Sequence, residues 1–188
     1  MAEIRTIAVI GAGAIGRGIA YAAALGGYRT ILEDILPSSL RTAAAELREH
    51  LAIAADLGTV SKPDALSAFN RLEYASTVEQ AAREADLAIE AVPDELESKI
   101  EIFTLLDKIC RPQTILVSNT SLFSVTKIAS VTYRAARIAG MRFTDSAFSG
   151  KNLQIVRAQL TDDETIAACT EVGKRMGKQV MVVAESGT

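Results

Sequence analysis

Apolar and polar positions follow two rhythms along the chain, and the rhythms alternate. Thr6-Ile7-Ala8-Val9-Ile10 is a short apolar run with β-branched residues that stops at Gly11, the pattern of a strand buried on both faces. Residues 14–25 follow with Ile15, Ile19, Ala22 and Ala23 at helical spacing, and Gly26-Gly27 ends them. Thr30-Ile31-Leu32 predicts a second strand. Pro37-Ser38-Ser39 opens a long amphipathic helix striped by Leu40, Ala44, Leu47, Leu51 and Ala54, with Arg41, Arg48 and Glu49 off the stripe. Gly58 ends it, and Lys62-Pro63-Asp64 begins a shorter helix with Leu66 and Phe69 on its apolar side, so the two predict a helical hairpin. Ser76-Thr77-Val78-Glu79 has the order of a capping box and starts a helix near Thr77.

The second half repeats the alternation. Asp86-Leu87-Ala88-Ile89-Glu90-Ala91 predicts a strand broken by Pro93, and residues 95–109 a helix with Leu96, Ile100 and Phe103 inward. Thr114-Ile115-Leu116-Val117 is a strand opening into Ser118-Asn119-Thr120-Ser121. Strands are predicted at Arg137-Ile138-Ala139-Gly140-Met141 and Leu153-Gln154-Ile155-Val156. Thr161-Asp162-Asp163-Glu164 caps a helix carrying Ile166, Cys169, Val172 and Met176; Gly177 ends it before a strand at Val180-Met181-Val182-Val183. The alternation predicts an α/β fold, a doubly wound, mostly parallel sheet with right-handed crossovers and a helical hairpin insertion. Such sheets bind ligands at the carboxyl ends of their strands, where the strand order reverses.

Composition narrows the function by exclusion. Of the 188 residues, 49% are apolar and 23% charged, which argues for a globular domain rather than disorder. A net charge of −3 argues against a nucleic-acid partner. No apolar run approaches the ~18 residues of a membrane span, and Met1-Ala2-Glu3-Ile4-Arg5 leads into the first strand without a signal-peptide pattern. The expected setting is cytoplasmic, with no membrane. Two cysteines, Cys110 and Cys169, and one histidine, His50, exclude a zinc site of four cysteines, or of two cysteines and two histidines. The cysteines read as buried reduced thiols. His50 lies mid-helix in the hairpin and reads as an ordinary helix residue.

Gly11-Ala12-Gly13-Ala14-Ile15-Gly16 is G-x-G-x-x-G between a buried strand and a helix, the context of a dinucleotide-binding, Rossmann-like turn. Gly11 permits the tight turn, Gly13 keeps side-chain bulk off a pyrophosphate, and Gly16 lets helix and strand approach. The helix N-terminus offers free N–H groups and partial positive charge to the phosphates. Asp34 stands 18 residues after Gly16, where an acid accepts hydrogen bonds from an adenosine ribose. No arginine follows directly, so a 2′-phosphate would be repelled, and NAD is favoured over NADP. FAD uses a similar loop.

With the later motifs added, essentially the whole chain resembles the NAD-binding domain of the 3-hydroxyacyl-CoA dehydrogenases. The residues that carry the likeness are Ile10 to Gly16, the hairpin after Asp34, Ile89-Glu90-Ala91-Val92-Pro93-Asp94, Ser118-Asn119-Thr120-Ser121, and Met176-Gly177-Lys178 before a Val-rich strand. The resemblance disfavours FAD. It implies cofactor contacts from Gly11, Gly13, Ala14, Ile15, Gly16, Asp34, Ala91, Val92, Asp94, Lys99 and Asn119. Asp94 stands where the family usually has Glu. Ser121 matches the serine that holds the substrate oxygen, and Asn119 and Ser121 are assigned to the catalytic end. Read without the resemblance, Lys99 is a solvated helix lysine, and Asn119 and Ser121 are turn formers.

The likeness breaks at the proton carrier. Where the family reads Gly-Leu-His-Phe-Phe-Asn-Pro, this chain reads Gly140-Met141-Arg142-Phe143-Thr144-Asp145-Ser146. Arg142 replaces the histidine that serves as general base, and a guanidinium accepts no proton at physiological pH. Gln154, 12 residues on, replaces the glutamate that orients that histidine. Ser146 replaces the proline of the acyl-chain loop. Arg142 reads either as a surface arginine paired with Asp145 or as a cation for a carboxylate beside the nicotinamide. Three functions follow: an NAD(H)-binding domain with weak or no turnover alone; an oxidoreductase for a different, anionic 3-hydroxy or 3-oxo acid, with Ser121, Tyr133 or a partner chain moving the proton; or a scaffold with a vestigial fold. The family continues into an all-helical C-terminal domain that closes the site and forms the dimer. The expectation is one domain over 1–188 without that helical domain, associating as a homodimer or with a separate C-terminal partner, and meeting an acyl-CoA or small acid as substrate.

Overall fold

The computed structural model describes residues 3–143 and 148–185. Its core is one eight-stranded sheet in the order β3-β2-β1-β4-β5-β6-β7-β8. The strands are β1 (Thr6–Ile10), β2 (Arg29–Glu33), β3 (Leu72–Ala75), β4 (Leu87–Glu90), β5 (Ile115–Ser118), β6 (Ile138–Phe143), β7 (Asn152–Arg157) and β8 (Gln179–Ala184). Every neighbouring pair is parallel except β6 and β7, which run antiparallel with Arg142 opposite Gln154. The helices are α1 (Ala14–Leu25), α2 (Pro37–Asp56), α3 (Lys62–Asn70), α4 (Val78–Ala82), α5 (Leu96–Ile109), α6 (Val125–Ala129) and α7 (Asp163–Arg175).

The helices cover both faces. Ile19 and Ala23 of α1, Leu47 of α2 and Cys169 and Val172 of α7 pack with Val9, Leu32 and Ile155 on one side. Ala81 of α4, Phe103 and Leu106 of α5 and Ile128 of α6 pack with Ala8, Ile31 and Leu116 on the other. Central strands β4 and β5 are buried along their whole length, which is why their sequences are apolar runs rather than alternations. The chain leaves β1 for β2 and β3, then returns to lay β4 on the other side of β1. The carboxyl ends of β1 and β4 therefore flank the point where the strand order reverses.

The caps act where the sequence places them. The Thr77 side chain accepts a hydrogen bond from the Gln80 N–H, and Asp162 accepts from Thr165. Gly27 and Gly177 have φ of +90° and +73° just past α1 and α7. Both cysteines are free and buried, and burial pushes their thiols up to about 11 for Cys110 and about 12 for Cys169.

Three of the expected helix stripes differ, and two elements have no counterpart in the sequence pattern. Strand β3 and helix α6 carry no sequence prediction: β3 is a half-exposed edge strand and α6 a single turn of helix. In α3, Leu66 is 63% exposed and Phe69 only half-buried, while Ala65 and Ala68 face inward against Ala24 of α1 and Leu51 of α2. In α2 the fully buried positions are Ala43, Leu47, Leu51 and Ala54. In α5 the buried face is Lys99, Phe103 and Leu106, a lysine where the stripe predicts hydrocarbon.

Candidate functional site

A cleft of about 1080 Å³ runs along the carboxyl edge of the sheet, from the tip of β2 across β1 and β4 to β6. Its centre is the glycine turn. Gly11 has φ +105°, a left-handed conformation that disfavours any side chain, and a Cβ there would lie 2.8 Å from the Ala91 carbonyl oxygen. A Cβ on Gly16 would lie 1.8 Å from the Gly11 carbonyl oxygen, so helix and turn can touch only through glycine. Gly13 is different: a Cβ there meets nothing within 4 Å. The space over Gly13 is open on the cleft side, where Ala14 and Ile15 also lie. Helix α1 starts at Gly13 with no side-chain cap and no acid in its first turn, so its free N–H groups and positive dipole end face the cleft.

These glycines separate folding from binding. Gly16→Ala is expected to cost on the order of 3 kcal/mol through overpacking, whereas Gly13→Ala should melt within a few degrees of the parent. Gly13→Ala should nonetheless lose at least about tenfold in dinucleotide affinity, or ~1.4 kcal/mol. Thermal melts and a dinucleotide titration of both variants check this.

Asp34 stands beyond β2 with its carboxylate held over the turn. One oxygen accepts from the Ala12 N–H at 3.0 Å and the other from the Leu36 N–H at 2.9 Å. Arg17 also lines the cleft, donating to the Ala12 carbonyl at 2.9 Å and pairing with Glu46 of α2 at 2.8 Å.

At the β4 end a chain of polar groups leads from the core to the cleft. Glu90 is completely buried and accepts from the Lys99 ammonium at 2.8 Å, the Ser118 hydroxyl at 2.7 Å and the Val92 N–H at 2.9 Å. Lys99 lies 3.3 Å from Asp94 on its other side. Asp94 also accepts from the Thr120 hydroxyl at 2.8 Å and from Ser121 at 3.4 Å. Burial works against the charge on Asp94, but the Thr120 hydroxyl, the Lys99 ammonium and the Ser121 N–H outweigh it and hold the carboxyl below its ordinary range. Lys99 is 1% exposed, so it is not the solvated helix lysine of the reading made without the resemblance; its ammonium sits between Glu90 and Asp94.

The far end holds the residues assigned to catalysis. Asn119, Ser121 and Arg142 line the cleft beside Ala91, Val92 and Asp94. The Asn119 side-chain oxygen accepts from the Phe143 N–H at 3.3 Å, tying β5 to β6. The Arg142 Nε donates to the Thr120 carbonyl at 2.7 Å, and the residue is half-buried. Gln154 lies across the β6–β7 ladder from it and is half-buried. Asp145 and Ser146 lie outside the described residues. Tyr133 is fully exposed and does not line the cleft, so it is no proton carrier within this chain's own cleft. His50 stacks on Phe148 at 4.1 Å and also stays off the cleft.

Two buried acids at or behind the cleft carry no role in the sequence reading, Glu33 and Glu90. Both are acids closing strands directly after buried apolar residues, Ile31-Leu32 and Leu87-Ala88-Ile89, and that mismatch is the available signal. Among the described residues no cluster of three metal-ligating side chains occurs, and no helix is long and apolar enough to cross a membrane.

Comparison with known proteins gives a consistent result. Residues 6–186 match the family model described as 3-hydroxyacyl-CoA dehydrogenase, NAD binding domain. The chain is 36% identical over 181 residues to a probable 3-hydroxybutyryl-CoA dehydrogenase of Bacillus subtilis, covering 96% of this chain and 63% of that protein. It is 34% identical over 179 residues to the 3-hydroxyadipyl-CoA dehydrogenase of Escherichia coli, covering 95% and 38%. A crystal structure of (S)-3-hydroxybutyryl-CoA dehydrogenase from Ralstonia eutropha superposes with a TM-score of 0.93 at 31% identity, covering 98% of this chain and 65% of that one. The chain thus spans just over three-fifths of the length of the Bacillus relative.

Proposed function

The chain belongs to the 3-hydroxyacyl-CoA dehydrogenase family as its NAD-binding domain, and on that premise we propose that it holds NAD(H) in the cleft while lacking efficient turnover of 3-hydroxyacyl-CoA on its own. The observation that carries this reading is the cross-strand pair Arg142 and Gln154, facing each other where the resemblance puts a histidine and its glutamate. The turn of Gly11, Gly13 and Gly16, with Ala14 and Ile15, fits the pyrophosphate, since only Gly13 leaves room above it. Asp34 fits the adenosine ribose. Ala91, Val92, Asp94 and Asn119 fit the nicotinamide half, with Lys99 setting Asp94. When bound, the nicotinamide accepts or returns a hydride. Ser121 then orients the substrate oxygen, but neither Arg142 nor Gln154 can take its proton: one is permanently protonated and the other is a neutral amide.

Calorimetric titration tests the binding. NADH is expected to bind in the micromolar range and NADPH at least about tenfold more weakly, because a 2′-phosphate would face Asp34. NADH oxidation with acetoacetyl-CoA should be negligible, and robust turnover would overturn the reading. A second reading has its own support. The outer nitrogens of Arg142 have no partner among the described residues, and the guanidinium borders the cleft next to Ser121. It would suit the carboxylate of an anionic 3-oxo or 3-hydroxy acid, with Ser121 as the proton-relaying group. NADH oxidation by a panel of free 3-oxo acids distinguishes this reading.

We place the protein in the cytoplasm. The exposed Met181 and Val182 of β8 support association with a second copy or a separate helical partner domain.

A further inference from the structure

Glu33 ends β2 at the edge of the cleft and is 5% exposed. It shares the face of Ile31, and its neighbours in register are apolar, Ile10 on β1 and Ala75 on β3. With Ile10 and Val78 it lines the cleft beside Asp34. Among the described residues no hydrogen bond or ion pair reaches its carboxyl group. Glu90 makes an instructive contrast. It occupies the same row one strand beyond Ile10 and is completely buried, but has Lys99 against it. Glu33 has the burial without the cation. Burial above all, and then the charge of Asp34, pushes the Glu33 carboxyl up to about 7.

The surrounding charges are otherwise committed. On β3, Glu73 pairs with Arg29. On α4, Glu79 pairs with Arg83. Arg17 of α1 is held by Glu46, and Asp94 at the far rim by Lys99. Helix α5 presents Ile102 and Leu105 to the cleft. Only Asp34 acts on Glu33 as a neighbouring charge, and it favours the protonated form.

We propose that Glu33 is a binding residue of the cofactor site, meeting the adenosine as a neutral carboxylic acid, so that NAD(H) binding above neutrality is accompanied by uptake of a proton. The inference rests on the reading above that the adenosine lies beside Asp34. A neutral carboxyl group donates one hydrogen bond and accepts others, which matches the mixed donor and acceptor edge of adenine; a carboxylate only accepts. Adenosine over Glu33 removes its remaining water, and the pyrophosphate brings negative charge nearby. Both raise its proton affinity further. A ligand that raises a group's proton affinity binds better where that group is protonated. Affinity is therefore level below neutrality and falls as pH rises above it, by at most about tenfold per pH unit for one proton.

The test is NADH calorimetry from about pH 6 to 9, in buffers of different ionisation enthalpy, on the parent chain, Glu33→Gln and Glu33→Val. The parent should take up close to one proton per NADH above about pH 8, with Kd rising roughly tenfold per unit there. Both variants should show neither the proton uptake nor the slope; two are used so that misfolding of one leaves a result. A parent without proton uptake, or variants that keep it, would overturn the assignment. Failure of the parent to bind NADH at any pH is a different result, and it removes the cofactor reading as well.

Discussion

Arg142→His combined with Gln154→Glu is expected to raise NADH-dependent reduction of acetoacetyl-CoA on the order of 10²-fold over the parent chain, the lower end of the ~10²–10⁴ that general acid–base catalysis contributes. Positions 142 and 154 are directly opposed in the antiparallel β6–β7 ladder, so their Cβ atoms lie within roughly 4.5–5.5 Å. A glutamate at 154 can then accept from one imidazole nitrogen of a histidine at 142 and leave the other facing the cleft. Asn119 and Ser121 already line that end, and the Asn119 side chain holds the Phe143 backbone beside position 142. Arg142→His alone should gain much less, since an unoriented imidazole lacks both the tautomer and the charge stabilisation that the carboxylate supplies. A double variant that binds NADH and melts like the parent, yet shows no gain, would mean the remaining site is not arranged for this chemistry.

The features that build this site differ in how plainly the sequence marks them. The glycine turn was legible from sequence because its constraints are on the backbone: Gly11 needs positive φ and Gly16 needs the absence of a Cβ, and no other residue meets either. The hairpin was legible through its periodicity and its glycine and proline punctuation. The edge strand β3 was not, because Leu72-Glu73-Tyr74-Ala75 is half-exposed and its pairing with β2 is bought by distant register rather than local pattern. The facing of Arg142 and Gln154 is likewise a property of strand register, invisible in a spacing of 12 residues. The burial of Glu33 and Lys99 was not legible for a common reason. Charged side chains are almost always solvated, so a buried one is recognised only when its partner, or the lack of one, is seen in three dimensions.

Lys99→Met is expected to destabilise the fold by about 3–5 kcal/mol, because it leaves Glu90 as a buried charge without its cation. For a chain of this size that corresponds to a fall in Tm of roughly 6–20 °C. Glu90 is completely buried, and Lys99 is the cation that reaches it. The Ser118 hydroxyl and Val92 N–H still donate to it, but neither neutralises a carboxylate. Adding Glu90→Gln should recover most of the loss: the amide oxygen can still accept from Val92 or Ser118, and no charge remains to be desolvated. The double variant then isolates what the ion pair does beyond stability. Asp94 will have lost the ammonium 3.3 Å away and keep only Thr120 and Ser121. Its carboxyl should protonate more readily, and NADH affinity should stay several-fold below the parent although the fold has recovered. A Lys99→Met protein that melts within about 2 °C of the parent would show that the pair bears little of the fold's stability. A double variant with parental NADH affinity would show that Lys99 does not set Asp94 for the cleft.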